Sequence, residues 1–348
     1  MTPASSLPAL PADEAAAAAQ GLSIIVPVYN EAAGLEQLHE RLGALAAMLR
    51  QRHSLACEVV YVDDGSTDDT LKLARALSAA ILDVQVVSLS RNFGKEAALM
   101  AGLDHARRGA LLFMDGDGQH SPDLVERLVD HWINDGYDVI YTAKSHRTNE
   151  SLLRRIGVHS FYAIINWGAR QRIPQDAGDF RLLSPRAAAA LRRMPERNRF
   201  FKGLASWIGF RQFRVDYEPD VRAHGMTTFN AARLLGLSIE GLTSFSVAPL
   251  RLASLLGLLL ALAAFLFGLS ILWETLVDGE SVPGYPSLVV GIMTLGGVQL
   301  LMIGIMGEYI GKILSELKAR PIYFVAEHSV KQAGSEPSAG DPPRTAAE

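Results

Sequence analysis

Asp115 and Asp117 stand two residues apart, directly after the short apolar run Ala110–Met114. Two carboxylates at that spacing past the end of a buried strand can face one hard cation, whose other positions go to phosphate oxygens and water. Three more polar clusters follow apolar runs in the same way: Pro27-Val28-Tyr29-Asn30-Glu31, Asp63-Asp64-Gly65-Ser66 and Arg91-Asn92-Phe93-Gly94. Each alone has an ordinary explanation, because Asp and Ser cap helices and Gly turns the chain. The same acids also suit a calcium loop, with Asp115, Asp117, Gln119, Asp123 and Glu126 at positions 1, 3, 5, 9 and 12. Two features oppose that loop: His120 stands where the sharp turn needs Gly, and the preceding run is strand-like rather than helical. Other site types fail on spacing. Leu89 replaces the first Gly of a Walker A loop ending in Gly94-Lys95, Ser121 replaces the third Gly of a dinucleotide fingerprint, and Gly43 replaces the second His of a zincin helix.

The elements that position these clusters are legible from periodicity. Strands are predicted at Ser23–Val28, Glu58–Asp63, Val84–Ser90, Ala110–Met114 and Asp138–Thr142. Helices fill the gaps at Ala32–Arg50, Asp68–Ala79, Lys95–Arg107 and Pro122–Asp135, the last with Ser121 as N-cap and Pro122 at its first position. This alternation predicts an α/β fold: a mostly parallel, Rossmann-like sheet with helices on both faces. Ligands bind such sheets outside the carboxyl ends of the strands, which is where all four clusters lie.

Two segments differ from the rest. Leu252–Trp273 and Ser287–Gly307 contain no charged residue, and each is long enough to cross about 30 Å of hydrocarbon as a helix. Arg222, Arg233 and Arg251 precede the first, Lys312, Lys318 and Arg320 follow the second, and the stretch between has no Lys or Arg. That asymmetry predicts both termini on the cytoplasmic side. The mixed apolar and polar segment before the first span predicts a helix lying along the bilayer surface.

Composition narrows the class further. The chain has 348 residues, with 33 Lys+Arg against 37 Asp+Glu and a formal charge of -4, so bulk charge gives no reason to expect nucleic acid as a partner. A lone Cys57 excludes a disulfide framework and a Cys-based zinc site. The first twenty residues lack the basic and apolar regions of a secretory signal. The stretch from about Ser329 onward has the composition of a disordered tail.

The runs Ile24-Ile25-Val26-Pro27-Val28-Tyr29-Asn30-Glu31, Val62-Asp63-Asp64-Gly65-Ser66-Thr67-Asp68 and Met114-Asp115-Gly116-Asp117, in this order, resemble a GT-A fold glycosyltransferase of family 2. Arg91-Asn92-Phe93-Gly94-Lys95, the segment Asp176–Leu183, Lys202-Gly203 with Trp207–Phe210, Phe245-Ser246 with Pro249-Leu250, and the two spans resemble its polyprenyl-phosphate glycosyltransferase branch. The organisation so implied is a tail over 1–20, a GT-A catalytic domain over 21–230, an interfacial amphipathic helix over 231–250, and spans over 251–273 and 287–307. An outer loop fills 274–286, and a cytoplasmic C-terminal tail fills 308–348.

The resemblance implies inverting transfer of one hexose, glucose from UDP-glucose, to polyprenyl (undecaprenyl) phosphate at the cytoplasmic membrane face. It places Pro27, Tyr29, Glu31, Asp63, Asp64 and Asp115 around the nucleotide-sugar, and Mg²⁺ or Mn²⁺ on Asp115, Asp117 and Gln119. Asp179, Asp117 and Asp176 are its catalytic candidates, and Arg147, Arg181 and Arg222 would clamp the acceptor phosphate bidentately. It further implies a multi-pass protein of the inner membrane and assembly of copies through the spans. Two departures stand out: the family commonly reads DxDLQDPP where this chain has Asp117-Gly118-Gln119-His120-Ser121-Pro122, and a Lys usual after Arg222 is replaced within Gly225-Met226-Thr227-Thr228-Phe229. The rival readings are a processive polysaccharide synthase, opposed by the absence of QxxRW, and a non-catalytic sugar-nucleotide-binding membrane scaffold, opposed by the intact Asp115/Asp117 pair.

Overall fold

The structure is a computed structural model; it describes residues 21–116, 121–144, 177–194, 201–217, 248–277 and 284–334. These fall into two units, one holding the sheet and the other holding the long apolar helices.

The first unit is built on eight strands: β1 (Leu22–Val28), β2 (Cys57–Asp63), β3 (Asp83–Leu89), β4 (Ala110–Phe113), β5 (Val139–Lys144), β6 (Ala177–Leu183), β7 (Gln212–Tyr217) and β8 (Val325–Lys331). Their order across the sheet is β7-β5-β6-β4-β1-β2-β3-β8. β1 pairs in parallel with β2 and β4, β2 with β3, and β5 with β7. β6 runs antiparallel between β4 and β5, and β8 antiparallel along β3. The four strands predicted first are the most apolar, and β2 is buried along its whole length. That is what a central strand covered on both faces requires.

Alternation along the strands sorts the core into two layers. Ile24, Val26, Val59, Tyr61, Val84 and Leu112 pack with Leu38 and Leu42 of α1 (Leu35–His53), Ala74 of α2 (Thr70–Ala76) and Leu124 and Leu128 of α4 (Pro122–Ile133). On the other face α3 (Lys95–His105) lies so close that a Cβ on Gly102 would fall 2.2 Å from Ile25 Cγ2. α5 (Pro185–Arg192) and α6 (Phe201–Trp207) extend that layer, with the rings of Phe113 and Phe201 4.3 Å apart.

The predicted cap of α4 is present: Ser121 Oγ accepts from Leu124 N at 3.3 Å and Pro122 opens the helix. α2 is shorter than the predicted Asp68–Ala79. Asp68 accepts from the amide of Thr70 at 3.0 Å and that of Ala32 at 3.4 Å, which holds it outside the first turn, and Leu77 is extended. One reading is overturned. Residues 329–331, assigned by composition to a disordered tail, are the end of β8, whose backbone pairs with β3 from Val84↔Lys331 to Leu89↔Val325. The ladder and a few side chains hold this strand. Composition averaged over the Gly-, Pro- and Ser-rich residues that follow conceals that. Residues 1–20 and 335–348, and 231–247 of the predicted interfacial helix, lie outside the described residues.

The second unit contains α7 (Ala248–Val277) and α8 (Tyr285–Leu317), which run beyond both predicted spans. Thirty residues rise about 45 Å as a helix, more than the hydrocarbon thickness. Leu258, Phe265, Trp273, Met293 and Leu300 are each more than 60% exposed. Apolar helices with this much uncovered surface fit membrane association rather than a soluble core.

Candidate active site

The carboxyl ends of β1, β2, β3 and β4 bring the four clusters to one edge of the sheet. The loops after β1 and β2 are stitched together by side chains that accept backbone hydrogens. Asn30 takes φ +54°, a left-handed conformation Asn tolerates, and its Oδ1 accepts from Thr67 N at 2.8 Å. The amide of Asn30 donates to Ser66 Oγ at 3.0 Å, that of Glu31 to Thr70 Oγ1 at 2.9 Å, and that of Asp64 to Val28 O at 3.0 Å. Pro27 closes the end of β1 beside Val62, whereas Tyr29, 46% exposed, and Glu31 face outward.

Asp63 and Asp64 are both buried, with different partners. Asp63 accepts from Ser66 N and Ser88 Oγ, each at 3.2 Å. Asp64 accepts from Phe93 N at 2.7 Å through one oxygen and from Gly94 N at 2.9 Å through the other. Burial pushes the Asp64 carboxyl up from its ordinary value, and these two amides pull against that shift. Asp64 therefore fixes the loop after β3. Gly65 permits the approach: at φ +70° a Cβ there would lie 2.6 Å from the Arg91 carbonyl carbon.

After β4, the carboxylate of Asp115 lies 2.6 Å from Lys95 Nζ, with both side chains partly open to solvent. A Cβ on Gly116 would stand 3.4 Å from Pro27 O, so the turn after β4 is pressed against the end of β1. Asp115 supplies a hard oxygen donor at a strand end, and a cationic group already sits against it. The hard oxygen donor suits a divalent ion, for which the ammonium would have to give way. Asp117 and Gln119 lie outside the described residues.

β6 enters the sheet in the opposite sense, so its first residues come to the same edge as the end of β4. Phe113 pairs with Arg181, which puts Asp179 two residues farther toward the edge where Asp115 follows β4. Arg181 itself does not present a free guanidinium to that edge. It is 2% exposed, donates to Gly178 O at 2.9 Å, and lies 5.3 Å over the ring of Phe201. A side chain so enclosed braces the sheet against α6. Asp176, Arg147 and Arg222 lie outside the described residues. The residue that spacing passed over is Lys95: it was read only within a failed Walker A pattern and a family motif. The available signal was a Lys directly after a Gly at a helix start.

The sequence model of the family described as glycosyl transferase family 2 matches residues 23–194. A relative in Synechocystis sp., named an uncharacterized glycosyltransferase, is 39% identical over 306 residues, covering 88% of this chain and 95% of the relative. The prophage bactoprenol glucosyl transferase homolog of Escherichia coli K12 is 38% identical over 304 residues, covering 87% of this chain and 98% of its own. Among solved structures, S. aureus TarS 1-349 in complex with UDP-GlcNAc aligns over 64% of this chain and 66% of that one, at 15% identity and a TM-score of 0.44. Near-complete coverage of relatives well above 30% identity, together with the family match over the sheet that carries Asp64 and Asp115, shows that this chain belongs to glycosyl transferase family 2.

Proposed function

We propose that the protein transfers a single glucose from UDP-glucose to undecaprenyl phosphate, with inversion, at the cytoplasmic face of the inner membrane. The observation that carries this reading is the similarity to bactoprenol glucosyl transferases, 38% identical over 87–89% of the chain. The asymmetric Lys and Arg flanks of α7 and α8 support a cytoplasmic catalytic unit. A polyprenyl tail stays in the bilayer, so an enzyme that reaches its phosphate must work at the surface.

In this reading Asp64 and Asp63, with Pro27, Tyr29 and Glu31, shape the nucleotide end of the crevice. Asp115, Asp117 and Gln119 hold Mg²⁺ or Mn²⁺, which when bound offsets the charge of the departing diphosphate. An acceptor phosphate oxygen attacks the anomeric carbon, the bond from that carbon to the diphosphate oxygen breaks, and UDP leaves with the electron pair. A phosphate monoester with a second pKa of about 6 is already largely ionised at pH 7, so no strong general base is required. Asp179 and Asp176 then orient the acceptor, and Arg147 and Arg222 bind its phosphate. The test is a panel of radiolabelled nucleotide-sugars, offered with undecaprenyl phosphate to the purified full-length protein in detergent. Label from UDP-glucose alone should enter the organic phase, and transfer from a different sugar, or none, would overturn the assignment.

A further inference from the structure

Lys95 bridges two places that are not neighbours in the sheet. It follows β3, whereas Asp115 follows β4, and the strand order β4-β1-β2-β3 puts the ends of β1 and β2 between them. The chain after β3 carries Lys95 back across the strand ends, so that its Nζ lies 2.6 Å from Asp115 Oδ1. Its backbone start is fixed, because Asp64 holds the amides of Phe93 and Gly94 immediately before it. Gly94, at φ +96°, turns the chain into α3, whose first amides also point out of that end of the helix. A ligand stretching from Asp64 to Asp115 must pass the Lys95 ammonium.

The openness of this pair separates it from a structural ion pair. Lys95 and Asp115 are 42% and 34% exposed, so solvent and ligands reach both. An ion pair this exposed contributes little to stability and is readily exchanged. A Lys is a flexible point charge that suits phosphate.

We infer that Lys95 is an exchangeable counter-ion. It occupies the Asp115 carboxylate in the free enzyme and moves to the diphosphate of the nucleotide-sugar when a divalent cation takes its place. This rests on the proposed metal role of Asp115 and adds a residue whose charge is present in both states. Net local charge is unchanged, because the negative charges of the sugar-linked diphosphate offset the divalent cation while the ammonium still offsets the carboxylate.

The test is binding rather than turnover, on the full-length protein in detergent. UDP affinity is measured calorimetrically with Mn²⁺ and with EDTA, and Mn²⁺ alone is titrated by electron paramagnetic resonance. Lys95→Ala should weaken UDP about tenfold in Mn²⁺ and less in EDTA, while Mn²⁺ alone binds as well as or better than to wild type. Lys95→Arg, which keeps the charge, should stay within about threefold of wild type for UDP. UDP affinity within twofold of wild type in Lys95→Ala would overturn the inference. So would weaker binding of Mn²⁺ alone, because Lys95 would then merely position Asp115. Failure of the underlying metal reading looks different: wild type would bind UDP equally with Mn²⁺ and EDTA, and Asp115→Asn would change neither.

Discussion

Both ends of the same parallel strands carry acids, and the sharpest difference is between Glu58 and Asp138 at one end and Asp115 at the other. At the amino end, Glu58 is fully buried and accepts from Ser23 Oγ at 2.5 Å, Arg107 N at 2.6 Å, Gln85 Nε2 at 2.8 Å and Arg108 N at 3.1 Å. Asp138, at the start of β5, is likewise buried, accepts from Ser184 Oγ at 2.8 Å, and is gripped by the Arg186 guanidinium. Burial works against its charged form, but these partners hold its carboxyl below the ordinary value. At the carboxyl end, Asp115 is a third exposed and its described ion pair is with a mobile type of side chain. Glu58 and Asp138, sealed at the amino end with their oxygens engaged, maintain the fold. The half-open Asp115, beside a solvent-accessible Lys, is the acid to which a ligand role is proposed.

The largest effects should separate these ends cleanly. Glu58→Ala strands four donors at the sealed end, each orphaned buried group costing about 1–3 kcal/mol, so a net loss of roughly 3–5 kcal/mol is expected after relaxation. The apparent melting temperature should fall by roughly 10 °C in a thermal denaturation scan. Asp115→Ala should leave that temperature within a few degrees, because an exposed pair contributes under about 1 kcal/mol. Its glucosyl-transfer rate should instead drop about 100- to 1,000-fold, the scale of losing an electrostatic contact to the leaving group. A normal melting curve for Glu58→Ala, or an early one for Asp115→Ala, would erase the distinction.

This contrast also explains what the sequence made legible. β1 to β4 and the clusters behind them were readable because both-face burial writes long apolar runs, and polar residues at their ends interrupt that pattern. Glu58 was not, since a carboxylate opening a strand reads the same whether it is sealed by four donors or solvated. β6 was missed because Gly178, Asp179 and Arg181 break its apolar pattern, although Arg181 is buried against Phe201. β8 was missed because an edge strand needs only backbone partners and keeps polar side chains such as Glu327 and His328. Lys95 and Asp115 are 20 residues apart in the chain, and only the crossover of α3 brings them together.

The third edge of the comparison is the strand that follows the apolar helices. Phe324 packs its ring 6.3 Å from that of Phe93, and its carbonyl accepts from Ser90 N at 2.9 Å, so the loop fixed by Asp64 is held from the far side as well. An aromatic pair contributes about 1 kcal/mol, or about fivefold in a binding constant. Phe324→Ala should therefore raise KM for the donor about fivefold with kcat nearly unchanged, and Phe324→Tyr should restore it. A fall in kcat with an unchanged KM would show that β8 does not support the donor loop.

The smallest expected effect lies at the amino end, where β8 meets the Glu58 network. His328 Nε2 donates to Gln85 Oε1 at 3.0 Å, and Gln85 in turn donates to Glu58. Burial, followed by nearby His105 and Arg107, lowers the His328 pKa from 6.5 to about 4. The unfolded chain thus takes up a proton near pH 6.5 that the folded chain refuses until about pH 4, so stability falls as pH drops through that window. Because His328 is only partly enclosed, the loss between pH 7 and 5.5 should be about 1 kcal/mol or less. His328→Gln has no proton to refuse: its stability, measured by denaturant titration at both pH values, should differ less between them than that of wild type. An equal pH slope in the two proteins would assign the acid sensitivity to another group and leave the sealed end insensitive to protonation of its neighbour.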